Sequence, residues 1–274
     1  MKVPFEIDYF QVEQTDSTCE EVKRLWTHSP HAERDEERRR MICVRADYQT
    51  AGRGQKGTSW EAQKGKNLLF SIVFEPSNVA VGRSFVLSQA MALAVRDALA
   101  ACVEDYSAAL GLPCGLAHNI RIKWPNDIYF GDRKLCGTII ETTFGSGRVG
   151  RCAIGVGVNV NQREFRSDAP NPVALCSVVG CEVNCEELLN KILDNFQCNI
   201  LLVEEGDDSV GSRYEQCLIR REGIHSYRDA NGLFEAEFVS VAPDGQLTLR
   251  DREGRLRAYS FKQVRHIFSN MEVE

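Results

Sequence analysis

Apolar residues recur along this chain with two periods, which predict two kinds of element. Alternating or continuous apolar runs predict four strands, at 5–12, 41–47, 67–75 and 152–161. The run at 67–75 is apolar at nearly every position, which is typical of a strand buried on both faces. Helical spacing is clearest in 84–101, where one apolar stripe contains Leu87, Met91, Val95 and Leu99. This stripe predicts a core helix.

Polar signals predict where two more helices begin. Ser17 is followed three residues later by Glu20, the spacing of a capping box, and Asn184 precedes Glu187 in the same way. The helix after Asn184 is predicted to extend to about 198–203, and a further helix is predicted at 212–218. An N-cap fully explains Ser17. A helix N-terminus beside a pocket also binds anions and amides, so Ser17 and Thr18 are candidate ligand contacts.

The pattern changes after Glu222. Short apolar runs at 233–250 and 256–261 are interrupted by glycine-containing turn signals at 229–232, 244–245 and 253–254. Such a series predicts hairpins without helices. We therefore predict two domains, at 1–222 and 223–274, the second being a small β-barrel.

Composition narrows the class of protein. The chain has 274 residues, 43% hydrophobic content and a net charge of −6. This charge argues against a general nucleic-acid binder. No apolar run long enough to span a bilayer and no secretion signal are expected, which predicts a cytoplasmic protein without membrane contact. The eleven cysteines are scattered, so we expect reduced thiols. The cluster Cys176, Cys181, Cys185 and Cys198 has no common zinc spacing.

A charged stretch at 121–141 is the strongest candidate for chemistry. It predicts two strands joined by a turn at Gly131-Asp132, with Pro125 fixing the local backbone. Charges are costly to bury unless they are paired or used. Lys123, Asp127 and Lys134 could together bind an anionic ligand and a metal ion. The other interpretation, an edge hairpin with solvated lysines, remains equally open on this stretch alone.

Two glycine-containing segments flank that stretch. In 48–60, Gly52, Gly54 and Gly57 alternate with Arg53, Gln55 and Lys56 and precede Trp60. Glycines let backbone N–H groups wrap an anion. The spacing of these glycines is not that of a P-loop. A flexible surface loop would have a similar composition, so it remains an alternative. Trp60 is either a stacking lid for a base or a core anchor.

The strand at 152–161 has two glycines on one face. Gly155 and Gly157 predict that another group lies flat on the bare backbone. Asn159 continues that face and offers a donor and an acceptor to a purine edge. A β-bulge with a capping asparagine is the alternative. Together the segments indicate an anion or nucleotide site.

In this order the motifs resemble those of biotin–protein ligases. The resemblance covers nearly the whole chain and rests on the segments 16–18, 51–54 with Trp60, 123–127, 133–137 and 155–159. It implies an α+β fold, with helices on a mixed, mainly antiparallel sheet in a catalytic domain, followed by an SH3-like β-barrel. It further implies ATP and biotin as substrates, Mg²⁺ as cofactor, and a biotin carboxyl carrier domain of the acetyl-CoA carboxylase type as partner.

The resemblance also assigns residues to roles. The implied catalytic residues are Lys134, Arg53 and Lys123, and Asp127 is the implied metal ligand. Nucleotide contacts are implied for Arg53, Trp60, Asn126 and Asn159. Biotin contacts are implied for Ser17, Thr18, Cys19, Gln49, Gly52, Arg53, Gly54, Gln55, Lys134, Gly137, Gly155 and Gly157. Within that set, Gly137, Gly155 and Gly157 are expected to give biotin room.

Two residues depart from the family pattern. Cys19 stands where members often have asparagine, and Gln55 stands where many have a second arginine, which puts adenylate retention by the loop in doubt. The charged segment 30–40 is expected to be a mobile surface loop. No DNA binding is expected, because the catalytic pattern starts within the first residues, and a homodimer is left open.

Two rival functions remain at this point. The first is a lipoate- or octanoate-transferring enzyme on the same fold, although such enzymes lack the 123–127 hairpin in this form. The second is a non-catalytic sensor of biotin or nucleotide. The presence of all the charged site positions counts against the sensor.

Overall fold

A computed structural model describes residues 3–28, 39–54, 58–166 and 171–268. The predicted loop at 30–40 falls almost wholly outside these ranges. Gln55, Lys56 and Gly57 also lie outside the described residues.

The larger part of the molecule is a seven-stranded sheet with helices on both faces. In chain order its elements are β1 (Glu6–Thr15), α1 (Thr18–His28), β2 (Arg40–Gln49), β3 (Leu68–Phe74), α2 (Phe85–Leu110), β4 (Ile120–Lys123), β5 (Asp127–Phe130), β6 (Arg133–Gly145), β7 (Arg148–Val158), α3 (Leu175–Val179), α4 (Cys185–Glu205) and α5 (Ser209–Gln216). The strand order is β1-β2-β3-β7-β6-β5-β4. Only β1 and β2 pair in parallel; the other neighbours are antiparallel.

The alternation of side chains along the central strands gives the sheet two apolar faces. On one face Val22 of α1 packs with Ile42, Val44, Val73 and Ala153. On the opposite face α2 lies against the sheet and is covered in turn by α4 and α5. Every residue of β3 is buried, as the continuous apolar run predicted. The cavity described below lies on the same face of the sheet as α1, next to β6 and β7.

Helix α2 is the central core helix. It continues to Leu110, nine residues past the predicted end at Ala101, because Cys102 and Val103 remain buried and Tyr106 packs on the core. The expectation that no apolar segment is long enough to span a bilayer was wrong. Val81–Leu110 is long and apolar enough to cross a membrane, judged by length and composition alone. However, 83% of its most apolar 18 residues are buried inside the protein, as in the core helix of a globular protein.

Three other elements depart from prediction. The stretch 121–141 forms three strands with two turns, because Pro125 lacks the N–H that a ladder needs and turns the chain between β4 and β5. The capping box at Ser17 is absent, since the Ser17 N–H donates to Asp16 Oδ1 at 2.7 Å. Helix α5 begins three residues earlier than predicted. The cap at Asn184 is confirmed, with its Oδ1 accepting from Glu186 N and Glu187 N.

The C-terminal part is a five-stranded antiparallel sheet, as predicted. Its strands are β8 (Ile224–Asp229), β9 (Gly232–Val241), β10 (Leu247–Asp251), β11 (Leu256–Tyr259) and β12 (Arg265–His266), in the order β11-β10-β9-β8-β12. This arrangement confirms the α+β class with a small SH3-like domain. Trp124 ties the two parts together, because its Nε1 donates to the Gly245 carbonyl at 3.0 Å and its ring meets Phe261 edge-on. The proposed boundary at 222/223 stays a prediction.

Candidate active site

A cavity of about 670 Å³ lies where the start of α1, the 49–60 loop, the β4–β6 turns and the small domain meet. It gathers most of the residues that the sequence singled out. Those lining it are Ser17, Thr18, Cys19, Gln49, Arg53, Gly54, Trp60, Lys123, Asn126, Asp127, Lys134, Gly137, Gly155 and Gly157. The segments that resemble a ligase site therefore converge on one space.

Neutral hydrogen bonds organise the end of the cavity at α1. The Thr18 N–H and Oγ1 both donate to Gln49 Oε1, at 2.8 and 3.0 Å. Ser71 Oγ, on the buried strand β3, donates to Thr18 Oγ1 at 2.8 Å. Because two donors share the Gln49 oxygen, the amide is held in one orientation. We call Thr18, Gln49 and Ser71 the neutral end.

Gly155 accommodates Cys19 instead of an open space. A Cβ at Gly155 would lie 2.2 Å from Cys19 Sγ and 3.2 Å from Ser71 Oγ. The thiol therefore rests on the bare backbone of β7, with its Sγ 3.3 Å from Ser71 Oγ. Burial raises the pKa of Cys19, so the thiol stays neutral. The room expected for biotin at Gly155 is filled by Cys19 in this structure.

Trp60 lies on the other two glycines. Gly137 of β6 and Gly157 of β7 are direct partners across the sheet. A Cβ at Gly137 would lie 2.8 Å from Trp60 Cζ3, and one at Gly157 would lie 2.6 Å from Cε2. The predicted flat group on bare backbone is thus an indole of this chain. Its buried Nε1 has no hydrogen-bond partner among the described residues. We call Gly137, Gly157 and the indole the glycine floor.

An ion pair marks the opposite end of the cavity. Lys134 Nζ donates to Asp127 Oδ2 at 2.7 Å, and both side chains are only about a quarter exposed, at 25% and 26%. The backbone of Lys134 is held as well, since its N–H donates to the Asn171 carbonyl and its own carbonyl accepts from Val173 N. The lysine is therefore fixed at both ends, 5.9 Å from the Trp60 ring centroid.

Lys123 occupies a different environment at the same end. Its Nζ donates to Tyr129 Oη at 3.3 Å and lies 5.1 and 5.7 Å from the ring centroids of Tyr129 and Phe268. Burial lowers the pKa of Lys123. The nearby carboxylate of Asp127 opposes this shift, whereas the positive charges of Lys134, Arg220 and Arg265 add to it. The amine is thus a partly desolvated cation held by aromatic rings. We call Lys123, Asp127 and Lys134 the charged end.

Arg53 points toward α1 in this structure. Its guanidinium, about half exposed, pairs with Glu20. Glu20 also bonds Lys23 at 3.1 Å, and Lys23 pairs with Glu141, which lines the cavity. The Glu20 bond raises the pKa of Arg53, keeping it cationic. Arg53, a predicted nucleotide contact, is therefore engaged in an ion-pair network beside the cavity.

Two of the predicted residues that the structure describes, Asn159 and Gly52, do not line the cavity. Asn159 is 3% exposed and does not line the cavity; its Nδ2 donates to the Lys134 carbonyl at 3.3 Å. Gly52 shapes the loop, because its carbonyl accepts from Trp60 N at 3.0 Å and a Cβ would lie 2.9 Å from Trp60 O. Gln55 falls outside the described residues. Asn126 does line the cavity and donates to Ser88 Oγ at 3.1 Å.

Several lining residues were missed from the sequence. They include Glu141, Tyr129, Phe261, Lys262 and Arg166. Tyr129 alternates with Asp127 along one strand, so strand periodicity could have indicated it. Phe261 and Lys262 come from the small domain, and only the packing of the two parts brings them to the cavity. Among the described residues no group of three or more His, Cys, Asp or Glu side chains could hold a metal ion.

Fold and cavity define an α+β protein with a site that has one neutral and one charged end. Residues 15–159 match the model of the biotin/lipoate A/B protein ligase family. The chain belongs to this family.

Named relatives and solved structures agree with that assignment. A biotin–[acetyl-CoA-carboxylase] ligase of Paracoccus denitrificans is 32% identical over 224 residues, covering 77% of this chain and 85% of that protein. The bifunctional ligase/repressor BirA of Salmonella typhimurium is 36% identical over 132 residues, covering 47% of this chain but only 36% of the relative. The chain thus spans about a third of that relative's length.

The same architecture occurs in a solved ligase. The structure of a biotin protein ligase from Aquifex aeolicus in complex with biotin and ATP superposes with a TM-score of 0.69 at 22% sequence identity, covering 95% of this chain and 99% of that one. At this identity the likeness establishes the shared fold.

Proposed function

We propose that this chain is an ATP-dependent biotin–protein ligase. It activates biotin as biotinyl-5′-AMP and transfers the biotinyl group to a lysine of a biotin carboxyl carrier domain. The observation that carries the proposal is that one cavity holds both the Thr18–Gln49 hydrogen bonds and the Lys134–Asp127 pair. Biotin needs such a site, because it has a neutral ureido head and an anionic carboxylate tail.

In the first half-reaction a biotin carboxylate oxygen attacks the α-phosphorus of ATP. The bond between that phosphorus and the oxygen bridging to the β-phosphate breaks, and pyrophosphate leaves. Negative charge grows on the phosphoryl oxygens, and a fixed cation aimed at them lowers the barrier. Lys134 is the cation best placed for this role, because its strand and its ammonium group are both held. Lys123 adds positive charge from the same end.

A divalent ion fits the charged end through Asp127 and the nucleotide phosphates. Mg²⁺ is commonly bound by one or two carboxylates plus substrate phosphates and needs no larger protein cluster. When bound, it supplies further charge neutralisation at the phosphates. Asp127 pairs with Lys134 in the present structure, so its carboxylate already faces the space where phosphate is expected.

In the second half-reaction the neutral amine of the carrier lysine attacks the acyl carbon of the adenylate. The bond from that carbon to the phosphate oxygen breaks, AMP leaves, the amine loses a proton, and an amide forms. Trp60 and the nearby loop contribute by shielding the mixed anhydride from water. Nucleotide contacts by Asn126, Asn159 and Arg53 are proposed from the resemblance to biotin–protein ligases; of these, Asn126 and Arg53 line the cavity, and Asn159 lies buried behind Lys134. Gly137 and Gly157 are proposed to shape the biotin side.

The partner is proposed to be the carrier domain of an acetyl-CoA carboxylase, and the reaction is proposed to take place in the cytoplasm. Independence from DNA and a homodimeric state stay predictions. A mobility-shift assay with a promoter fragment checks the first, and sedimentation velocity checks the second.

Mass spectrometry of a carboxyl carrier domain after incubation with this protein, biotin and MgATP tests the function. The expected result is one added biotinyl group, dependent on ATP and absent with Lys134→Ala. Lipoate with ATP and its own carrier domain is the comparison, since the family includes lipoate enzymes. Modification by lipoate alone, or adenylation of neither acid, would overturn the proposal.

A further inference from the structure

A second cavity lies on the small domain, immediately beside the candidate active site. It measures about 540 Å³, and three basic residues line it: Arg228 on β8, Lys262, and Arg265 on β12. Lys262 lines the candidate active site as well, so the two cavities lie on either side of this residue. We call Arg228, Lys262 and Arg265 the basic rim.

The charges of the basic rim are not balanced within the fold. Arg228 and Arg265 are direct partners in the antiparallel pairing of β8 and β12, and both are exposed. Like charges directly opposite on paired strands are destabilising. The acidic residue of this cavity, Asp229, is already engaged by Tyr259 Oη at 2.8 Å and by Arg257 at 3.4 Å. Among the described residues, no carboxylate forms an ion pair with any member of the basic rim.

The backbone supplies a second, independent observation. Lys262 has a φ of 71°, a left-handed conformation that a side chain with a Cβ adopts at a cost. Such outliers persist where the surrounding structure holds them and are often found at functional sites. The neighbouring Phe261 is 44% exposed at the mouth of the cavity, with its ring against Trp124. The Lys262 ammonium lies 5.8 Å from the Phe261 ring centroid, so this exposed ring joins the basic rim. Aromatic rings and arginines are both enriched at protein interfaces.

The charge of the whole chain indicates the kind of partner. The protein carries a net charge of −6, so the basic rim is a local concentration of positive charge on a chain that is negative overall. An extended polyanion such as DNA would meet the repulsion of the remaining surface. A compact protein domain with one acidic face could contact the basic rim alone and would avoid that repulsion. Such a partner would also be brought directly against the cavity in which the acyl group is activated.

We propose that the basic rim is the docking surface for an acidic face of the domain that carries the acceptor lysine. The inference rests on the proposed ligase function and adds the surface that receives the second substrate. Rim charges act mainly on association rate and salt dependence, and much less on the bound chemistry. The rim should therefore control the KM for the carrier domain while biotin activation proceeds unchanged.

The test uses the full-length protein with Arg228→Gln/Arg265→Gln. The matched control is Arg250→Gln/Arg252→Gln, which removes the same charge from exposed positions of the small domain outside both cavities. Two rates are measured for each: biotinyl-AMP formation, followed by pyrophosphate release, and biotin transfer to the carboxyl carrier domain of an acetyl-CoA carboxylase at low and high salt. The rim variant should raise the KM for the carrier about tenfold at low salt. Its adenylation rate should stay within about twofold of wild type, and salt should erase the difference between the two variants.

The outcomes separate the two proposals. If wild-type protein makes no biotinyl-AMP, the proposed function fails. If adenylation proceeds but both double variants share the wild-type KM for the carrier, the docking surface is wrong. A parallel loss of adenylation and transfer in the rim variant would also overturn it. Binding of a short DNA duplex that the rim variant loses, with an unchanged carrier KM, would assign the rim to nucleic acid instead.

Discussion

The neutral end and the charged end of the cavity are built by different means. At the neutral end, uncharged groups of β3, α1 and β2 form a chain of hydrogen bonds from Ser71 through Thr18 to Gln49, and the Cys19 thiol lies beside Ser71. At the charged end, Lys123, Asp127 and Lys134 lie in strands β4, β5 and β6 next to two tight turns, and the rings of Tyr129 and Phe268 lie near Lys123. The glycine floor joins the two ends. A ligand with one uncharged polar head and one anionic tail can bind in only one direction.

The difference also separates what each end contributes. Uncharged hydrogen bonds select a ligand by the geometry of its donors and acceptors, and an unmatched buried group costs about 1–3 kcal/mol. Fixed charges in a partly buried site act most strongly on charge that develops during the reaction. We therefore expect changes at the neutral end to alter substrate affinity and stability, and changes at the charged end to alter rate.

The largest effect is expected from Lys134→Ala. It removes the ammonium group that is aimed at the transferring phosphate and leaves Asp127 unpaired. Biotinyl-AMP formation should fall roughly 10²–10³-fold, or about 3–4 kcal/mol. Pyrophosphate release measures it, with Lys191→Ala on the surface of α4 as the control. A wild-type rate in Lys134→Ala would contradict the assignment of the charged end.

Gly155→Ala should have the next largest effect, a loss in the free energy of unfolding. The new Cβ would lie 2.2 Å from Cys19 Sγ, and overpacking of this kind costs about 1–3 kcal/mol. Adding Cys19→Ala removes the sulfur and should restore most of the loss. Urea denaturation of the two single variants and the double variant measures the coupling. Gly145→Ala is the control, because its Cβ meets nothing within 4 Å. Additive single effects would show that the Cys19 contact is not the cause.

Gln49→Leu should weaken biotin binding and leave the nucleotide alone. Thr18 loses the acceptor of two hydrogen bonds, so the neutral end is no longer pre-arranged. The KM for biotin should rise about tenfold, in line with an unsatisfied buried group. The KM for ATP in the same variant is the internal control. An equal rise in both constants would mean that the two ends are not separate.

The smallest effect concerns acid sensitivity at the charged end. His266 stacks beside Phe268, and burial, with the charges of Lys123, Arg220 and His225, lowers the pKa of His266 well below 6.5. Below pH 6.5 the unfolded chain therefore binds a proton that the folded protein does not, and stability falls as the pH falls. The contribution is about 1 kcal/mol between pH 7 and pH 5.5.

His266→Gln should remove that part of the pH dependence. The readout is the difference in unfolding free energy between the two pH values, so a uniform packing loss does not affect it. His118→Gln, at an exposed position, is the control. A pH dependence that survives in His266→Gln would place the acid-sensitive group elsewhere.

Sequence periodicity predicted the framework well wherever local chemistry decides it. The uninterrupted apolar run became the buried β3, and Asn184 starts α4 as its side chain dictates. The segments that resemble a ligase site do converge on one cavity. The chemistry of these segments could be predicted from the sequence, because each motif consists of a few consecutive residues.

Contacts between distant segments could not be predicted in the same way. Gly155 was expected to give biotin room, but whether the neighbour is a ligand or the Cys19 thiol depends on where α1 packs. The ion pairs from Arg53 to Glu20 and from Lys23 to Glu141 depend on the same placement. Phe268 reaches Lys123 only because the small domain docks on the turns.

The three tryptophans of the chain occupy three separate environments. Trp26 belongs to α1 and packs against the small cluster under that helix, and Trp60 lies on Gly137 and Gly157. Trp124 is held between the sheet and the small domain by its bond to Gly245. Indole fluorescence changes with the polarity around the ring. A ligand that lifts Trp60 and a partner that shifts the small domain against Trp124 would therefore give this molecule two distinguishable optical signals.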